Sequence, residues 1–479
     1  MSTEHLLAYK SAAGRWVLLA TVLGSALAAI DGTIVTIALP AIGADLGTSF
    51  VGLQWTVTGY TLTLASLILI SGAAGDRFGR RRTFLLGVVW FTTASVLCAA
   101  APTTALLIAS RILQGIGGAL LTPASLAILQ SSFAPEDRGQ AVGTWAGFSG
   151  VAGALAPFIG GWLLALGSWR WVFLVNLPLA CVVVAVSLRH MPESADEDTE
   201  DRGRLDWSGA ALTVVFLGLG TFAIIGKSWL AAGATVVGLA AFVVHERRTA
   251  TPLLPLGLFR IRRFTAVNTV TFLVYGAIGT FFFLLVLELQ VVAGWTPLAA
   301  GSATIPVTLI TLLLSRSSGA LAQRIGPRSQ MTIGPLACGA GVMLTLRIDS
   351  STSYMRDVLP AVTLFGVGLA TMVAPLTSTA LSSVPAHHSG LASGVNNAVA
   401  RTASLLAIAA IPVMAGLNGD VFTQPDSFDH GFEVATRLCT ALFLLGALVA
   451  ATGIGRSPQS PPGGRPAVQR LNQQRTARS

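Results

Sequence analysis

The sequence predicts an all-α polytopic membrane protein with about fourteen transmembrane helices. Of its 479 residues, 53% are hydrophobic and 11% are charged, whereas a soluble domain carries about a quarter of its residues as charges. Apolar runs of about 20 residues, the length of a helix that crosses a bilayer, recur along the whole chain. A short charged segment between two of these runs is repeated in weaker form later. The chain is therefore predicted to consist of two related halves.

The predicted spans fall into three groups that polar segments separate. Six precede an acidic segment at 189–206, two follow it, and six follow a basic segment at 245–263. With about 20 residues per crossing, the spans are about Trp16–Leu39, Leu53–Gly75, Thr83–Ala101, Thr104–Ile128, Gly139–Leu166, Trp171–Leu188, Trp207–Gly226, Ser228–Val244, Phe264–Val292, Leu298–Leu321, Gln330–Ile348, Val358–Thr379, Gly390–Leu417 and Phe432–Ile454. The predicted domains are a six-helix bundle at 1–188, a linker with two inserted helices at 189–263, a second bundle at 264–455 and a disordered tail at 456–479.

The repeated charged segment reads SGAAGDRFGRRR at 71–82 and GALAQRIGPR at 319–328. It is too charged for hydrocarbon and too short for a domain, so it is predicted to form a tight cytoplasmic turn. Four positions keep the same spacing in the two copies: Gly72, Arg77, Gly79 and Arg81 against Gly319, Arg324, Gly326 and Arg328.

The placement of the basic residues predicts the orientation. Most of the 30 Lys and Arg residues lie on the side of this turn, and the loops on the other side hold only Arg170, Lys227, Arg347 and Arg356. Because positive residues accumulate on the cytoplasmic side, both termini are expected there. The first apolar run has no cleavage site and is expected to be a retained helix. The prediction is a multi-pass protein of the cytoplasmic membrane, surrounded by lipid.

Four motifs carry a family resemblance. The pattern Gly-x-x-x-Asp-Arg-x-Gly-Arg-Arg at 72–81 is similar to the signature loop of the major facilitator superfamily. Within that superfamily the chain most resembles the fourteen-span drug:proton antiporters, through DGTIVTIALP at 31–40, RILQGIGGALLTP at 111–123 and WRWVFLVNLP at 169–178. The resemblance implies the major facilitator fold, with two extra helices between two six-helix bundles. It also implies proton-coupled efflux of drugs or antibiotics by alternating access.

Asp31 and Arg111 are the first candidate functional residues. Helical rise places Asp31 roughly 8–10 Å, and Arg111 roughly 10 Å, below the outer surface, so the two lie at similar depth. Charged residues inside spans are costly and mark ion or proton pathways. The alternatives are a permanent salt bridge or an aspartate at headgroup level. The family resemblance implies proton coupling for both residues.

The second half offers four candidates for a substrate cavity, namely Glu288, Asn396, Asn397 and Arg401. Glu288 lies near the outer end of the ninth span, either facing the cavity or reaching interfacial water. Arg401 lies near the midplane, where an unpaired arginine is expensive. It is expected to face the interior beside Asn396 or Asn397, or to bind an anionic group.

The turn at 71–82 is predicted to act as a cytoplasmic gate. Asp76 at a helix end is expected to accept hydrogen bonds from the N-terminus of a facing helix. Gly79 is expected to allow the turn, and the arginines after it to contact anionic headgroups. The gate residues are Gly72, Asp76, Arg77, Gly79, Arg80 and Arg81.

The fifth span is rich in glycine and resembles the antiporter signature helix. Small residues allow close helix approach, and a proline removes one backbone hydrogen bond. Ordinary packing is the other interpretation, and both can hold. The residues concerned are Gly150, Gly153, Pro157, Gly160 and Gly161.

Several functions are excluded or disfavoured by the sequence. No Walker A, HExxH or GxSxG motif occurs, which disfavours ATP-driven transport and enzyme activity. The formal charge of +9 is spread singly between spans, which disfavours nucleic-acid binding. No cofactor or metal is expected, because the four cysteines lie inside apolar runs without ligand spacing: Cys98, Cys181, Cys338 and Cys439.

The predicted function is proton-coupled export of an amphipathic small molecule by a monomer. Two other hypotheses stay open, namely a proton symporter that takes up a metabolite and an intramembrane enzyme or receptor that does not transport. Internal duplication and the lack of a catalytic motif argue against the enzyme or receptor. The substrate is not determined, because aromatic and acidic side chains suit cationic drugs whereas Arg401 suits an anionic antibiotic.

Overall fold

The computed structural model describes residues 6–193, 205–385, 389–419 and 424–455. These residues form sixteen α-helices, and the only extended pairing among them is an isolated bridge between Leu7 and Phe133. The predicted all-helical class is therefore confirmed. The central part of the acidic segment, 194–204, and the predicted disordered tail, 456–479, lie outside the described residues.

The helices follow the predicted apolar runs closely. Their bounds are α1 Ala12–Leu46, α2 Phe50–Phe78, α3 Arg80–Ala100, α4 Thr104–Ser132, α5 Pro135–Ala165, α6 Trp171–Leu174, α7 Asn176–His190, α8 Trp207–Ile225, α9 Trp229–Arg248, α10 Arg262–Val291, α11 Pro297–Ser302, α12 Ile305–Ile325, α13 Pro327–Leu344, α14 Leu359–Ser382, α15 Ser389–Met414 and α16 Pro425–Gly453. Short 3₁₀ segments lie at Leu256–Arg260 and Thr345–Arg347, and a π-helical turn at Tyr354–Val358 precedes α14.

Thirteen helical stretches of the described chain are long and apolar enough to cross a membrane. Helix α13 is not among them, although it packs against α14 and α16. Two predicted spans are interrupted, one between α6 and α7 and the other between α11 and α12. Prolines explain both interruptions, because Pro178 and Pro306 lie in the first turn of the restarting helix and have no N–H to continue the preceding one.

The two copies of the charged turn have the same backbone conformation. Gly79 joins α2 to α3 with φ 102° and ψ 132°, and Gly326 joins α12 to α13 with φ 82° and ψ 155°. Side chains rarely adopt this positive-φ conformation, so glycine is required at both turns. The sequence repeat therefore corresponds to a structural repeat at these turns.

The helices pack mainly within two groups. Helices α1–α7 contact one another, α10–α16 contact one another, and α8 pairs with α9. The groups meet where α2 packs on α15, α5 on α11 and α12, and α1 on α10. Helix α8 touches both α2 and α15, so the α8–α9 pair lies beside one of these junctions.

A continuous core of described residues joins the two groups near one end of the molecule. We call this end, where α1 turns into α2, the Asp45 end, and the opposite end, where α2 turns into α3, the arginine-rich end. Near the Asp45 end, Phe50 lies 6.0 Å from Phe283 and 6.3 Å from Phe428, measured between ring centroids. Closer to the arginine-rich end, described residues also form two smaller clusters, one around Phe84 in the first group and one around Phe264 in the second.

Candidate functional site

A buried ion pair joins α1 to α4. Arg111 Nη1 donates to Asp31 Oδ2 at 2.5 Å, and the two side chains are 1% and 0% exposed. Both charges are therefore fully removed from solvent, which is costly unless each is paired and hydrogen-bonded. The structure thus brings together the two residues that the sequence placed at similar depth.

A shell of amides and a hydroxyl fixes Asp31 in place. Asp31 Oδ1 accepts from Gln114 Nε2 at 2.8 Å and from Asn176 Nδ2 at 3.1 Å. The same two amides also donate to the Ser95 hydroxyl, at 2.8 and 3.2 Å. Side chains from four helices, α1, α3, α4 and α7, therefore form one hydrogen-bonded network around this carboxylate.

Hydrogen-bond acceptors and aromatic rings surround the guanidinium of Arg111. It donates to Gln114 Oε1 at 2.6 Å and to the Thr56 carbonyl at 3.2 Å. Its charged end lies 4.3 Å from the ring centre of Tyr60 and 5.9 Å from that of Phe173. These rings stabilise the cation through their π faces, so the site retains a positive charge when Asp31 is neutral.

Sequence reasoning missed this supporting shell. Gln114 lies one helical turn after Arg111 in the RILQ sequence, and Asn176 lies in the VNLP sequence. Both are polar residues within long apolar runs, which is a signal that a search restricted to charged residues overlooks.

Arg401 of α15 lies within electrostatic range of Tyr60 on α2 and of Tyr275 on α10. Arg401 is exposed, and no described acidic residue forms an ion pair with it. The Tyr60 hydroxyl is buried and has no hydrogen-bond partner among the described residues. The guanidinium of Arg401 is therefore accessible to a ligand.

Asn396 and Asn397 have different surroundings. Asn396 donates to Asn268 Oδ1 at 3.1 Å and to the Thr271 hydroxyl at 2.8 Å, which ties α15 to α10. Its amide is thus engaged by α10, and the expected place of Arg401 beside Asn396 or Asn397 stays a prediction. Asn397 is exposed.

Glu288 is completely buried, and neither of its carboxylate oxygens has a hydrogen-bond partner among the described residues. It interacts with Asp429 and Glu433 of α16. Gln290, two residues later and therefore on another face of α10, contacts the Ile37 carbonyl of α1. Glu288 therefore faces α16, away from α1, and its role in a cavity stays a prediction.

The charged α2–α3 turn contacts its own helix group. Asp76 pairs with Arg80 at 2.8 Å, where the sequence suggested the N-terminus of a facing helix. The Arg81 backbone N–H donates to Glu193 at 3.1 Å and its side chain to the Leu188 carbonyl at 2.9 Å, which fixes the turn to the end of α7. The part played by Gly72, Arg77 and the rest of the turn in gating stays a prediction.

Helix α5 is wedged between α1 and α11. A Cβ on Gly160 would touch Ile34 at 3.1 Å, and one on Gly161 would overlap the Leu298 backbone. Pro157 packs on Gly301, where a side chain has no room. In contrast, a Cβ on Gly153 would meet nothing within 4 Å, and one on Gly150 would only reach Leu312 at 3.8 Å. The glycine pattern is therefore a close-packing surface only in its C-terminal part.

The arrangement is suited to binding a proton. Asp31 is the ionisable group at the centre of a buried network, and neutralising it changes the charge that four helices share. Among the described residues, no group of three His, Cys, Asp or Glu side chains could hold a metal ion.

Comparison with known proteins identifies the family. The model of the Major Facilitator Superfamily matches residues 21–410. A puromycin resistance protein of Streptomyces alboniger is 34% identical over 464 residues, covering 91% of this chain and 90% of the relative. The multidrug efflux pump LfrA of Mycolicibacterium smegmatis is 34% identical over 467 residues, covering 92% of each chain.

Solved structures show the same fold. A D-xylose-proton symporter matches with a TM-score of 0.65 at 16% identity, covering 92% of this chain and 98% of that one. A bacterial homologue of the lysosomal transporter Spinster, in an inward-facing conformation, matches with a TM-score of 0.66 at 16% identity, covering 94% and 99%. The chain therefore belongs to the Major Facilitator Superfamily, a family of membrane transporters.

Proposed function

We propose that this protein exports drugs or antibiotics across the cytoplasmic membrane in exchange for protons. The relatives that match it over about nine tenths of its length are named for puromycin resistance and for multidrug efflux. An exporter needs an energy source, and the chain has no nucleotide-binding motif. The transmembrane proton gradient is the source that a buried carboxylate can use.

The Asp31–Arg111 pair is the observation that carries this proposal. When Asp31 takes up a proton, the 2.5 Å ion pair loses its attraction and the buried guanidinium loses its counter-charge. The amides of Gln114 and Asn176 then donate to a neutral acid. Because these groups belong to four helices, protonation changes how tightly the helices pack and shifts the equilibrium between conformations.

Alternating access follows from the way the two helix groups meet. We propose two six-helix bundles with α8 and α9 as the inserted pair, fourteen spans in total, and the arginine-rich end in the cytoplasm. In this conformation the extracellular end is then closed by contacts such as Phe50–Phe283. Toward the cytoplasmic end, each bundle has a core cluster of its own. Helix α5, packed against α1 and α11, would be the element on which the bundles rock, and the α2–α3 turn would close the cytoplasmic end.

The substrate is proposed to be an amphipathic small molecule that lies between α2, α10 and α15. Tyr275, which is partly buried, supplies aromatic surface, and Arg401 supplies hydrogen-bond donors for an anionic or carbonyl group. Arg111 lies over the ring of Tyr60, which is 5% exposed, so a substrate at that exposed edge would act on the buried pair through Tyr60.

An accumulation assay tests this function. Cells that express the protein are loaded with puromycin or a fluorescent dye, and retention is measured with and without a protonophore. We expect lower accumulation than in cells expressing Asp31→Asn at an equal membrane level, and loss of the difference when the proton gradient collapses. Higher accumulation in the wild type would indicate uptake, and equal accumulation of every compound in a resistance panel would reject drug export.

A further inference from the structure

A second ionisable site lies between α10 and α16 near the Asp45 end. Glu288 is 0% exposed and both of its carboxylate oxygens lack a partner among the described residues. The carboxyl group of Asp429 on α16 lies beside these oxygens, and Glu433 one turn later acts on Glu288 electrostatically. Two ionised carboxylates repel and cannot hydrogen-bond each other, so a bond between Glu288 and Asp429 requires that one of them carries a proton.

The surrounding charges strengthen this conclusion. Asp349 and Asp426 add further negative charge around Asp429, whereas the basic residue Arg437 is 2.9 Å from Glu433 and pairs with it. Among the described residues, the charged groups that act on Glu288 are Asp429 and Glu433 of α16, and none is on another helix packed on α10. An ionised, unpaired carboxylate in such a place is too costly to persist and neutralises instead.

We propose that Glu288 and Asp429 share one proton and form a second proton-binding site of the transporter, separate from Asp31. The proton comes from water and rests on a Glu288 oxygen, whose O–H donates to the Asp429 carboxylate. Asp429 is partly exposed and provides the path from solvent at the Asp45 end. Together with Glu433 and Asp349 it forms an acidic mouth that attracts protons to this end.

The position of the pair connects the proton to the conformational change. Phe428, next to Asp429 in the chain, and Phe283 of α10 both pack on Phe50 of α2. These contacts close the Asp45 end, so opening it moves α2 away from α10 and α16, the two helices that hold the carboxyl pair. If the Asp45 end is extracellular, which rests on the proposed function, the site takes up protons from outside.

Infrared difference spectroscopy on the purified full-length protein tests the site directly. We expect the wild type to show a carboxylic-acid C=O band that persists above neutral pH, and Glu288→Gln to lose that band. Glu433→Gln is the matched control and should retain it, because Glu433 is already paired with Arg437. A band that survives in Glu288→Gln, or no such band in the wild type, would overturn the proposal.

Thermal stability in detergent gives a second readout. The folded pair holds a proton that the unfolded carboxyl groups release more readily, so wild-type stability should fall as the pH rises above neutral. Glu288→Gln resembles the protonated acid and should fold with a flatter profile. Failure of Glu288→Gln to fold, or an unchanged pH profile, would contradict a shared proton. Stabilisation of the wild type, but not of Glu288→Gln, by tetraethylammonium would show a cation site instead.

The two proposals fail independently. Asp31→Asn leaves the α10–α16 contact untouched, so its infrared band should equal that of the wild type. An infrared band that survives in Glu288→Gln would reject the second site but not drug export through Asp31. Normal export by Asp31→Asn would reject the role of Asp31 but not the Glu288 site.

Discussion

Replacing Asp31 by asparagine tests the buried ion pair quantitatively. Three donors reach the carboxylate, and two of them, from Gln114 and Asn176, end on Oδ1, which asparagine keeps as an amide oxygen. The third is the 2.5 Å bond from Arg111 to Oδ2, where asparagine would instead place an NH₂ group. The free energy of unfolding that Asp31→Asn loses therefore comes mainly from the broken ion pair. Removing one partner of a buried pair costs about 3–5 kcal/mol.

A double-mutant cycle measures that pair without confusing it with a general packing defect. The unfolding free energy is measured in detergent for Asp31→Asn, Arg111→Gln and the double variant. Because the double variant leaves no uncompensated charge, it should be more stable than the sum of the two single losses predicts. Additive losses would refute the reasoning, since they would mean that the two side chains do not interact. Folded Asp31→Asn protein should also fail to export drugs.

Three further predictions follow from the helix contacts and the charge pattern. Gly161→Ala should abolish transport because the new methyl group overlaps α11, whereas Gly153→Ala should leave drug resistance unchanged; equal effects would reject the proposed role of the close packing. In a variant without its native cysteines, Ser427→Cys should react with a membrane-impermeant maleimide in intact cells and Ala250→Cys only after permeabilisation, and the reverse pattern would invert the proposed topology. Asp76→Asn removes an exposed ion pair worth about 0–1 kcal/mol, so its thermal stability and drug binding should match the wild type while its transport rate falls; parallel loss of binding would exclude a gate.

Helix positions were largely predictable because an apolar run of about 20 residues has few alternatives to a transmembrane helix. The span length alone did not reveal the interruptions before Asn176 and Ile305. Prolines explain them, but prolines inside α1, α4 and α5 leave those helices continuous. Whether a proline interrupts a helix depends on whether neighbouring helices satisfy the freed carbonyl groups, which a single sequence does not show.

The sequence predicted the depth of the charged pair in the membrane, but not the residues that surround it. Counting helical rise placed Asp31 and Arg111 at one level because both are measured from a membrane surface along a nearly straight helix. Gln114 and Asn176 join them through the rotation of α4 and α7, which depth alone does not fix. Asp429 was missed for a related reason, since it lies just outside a predicted span and resembles an ordinary interfacial acid.

Drug-driven proton movement in proteoliposomes tests the central claim most directly. Purified wild type and Asp31→Asn are reconstituted with a pH-sensitive dye inside, and an outward drug gradient is imposed. The proposed exchange predicts proton entry in the wild type, at a rate that depends on the drug, and no drug-dependent proton movement in Asp31→Asn. Drug transport by the wild type without any proton movement, or equal proton movement in Asp31→Asn, would contradict it.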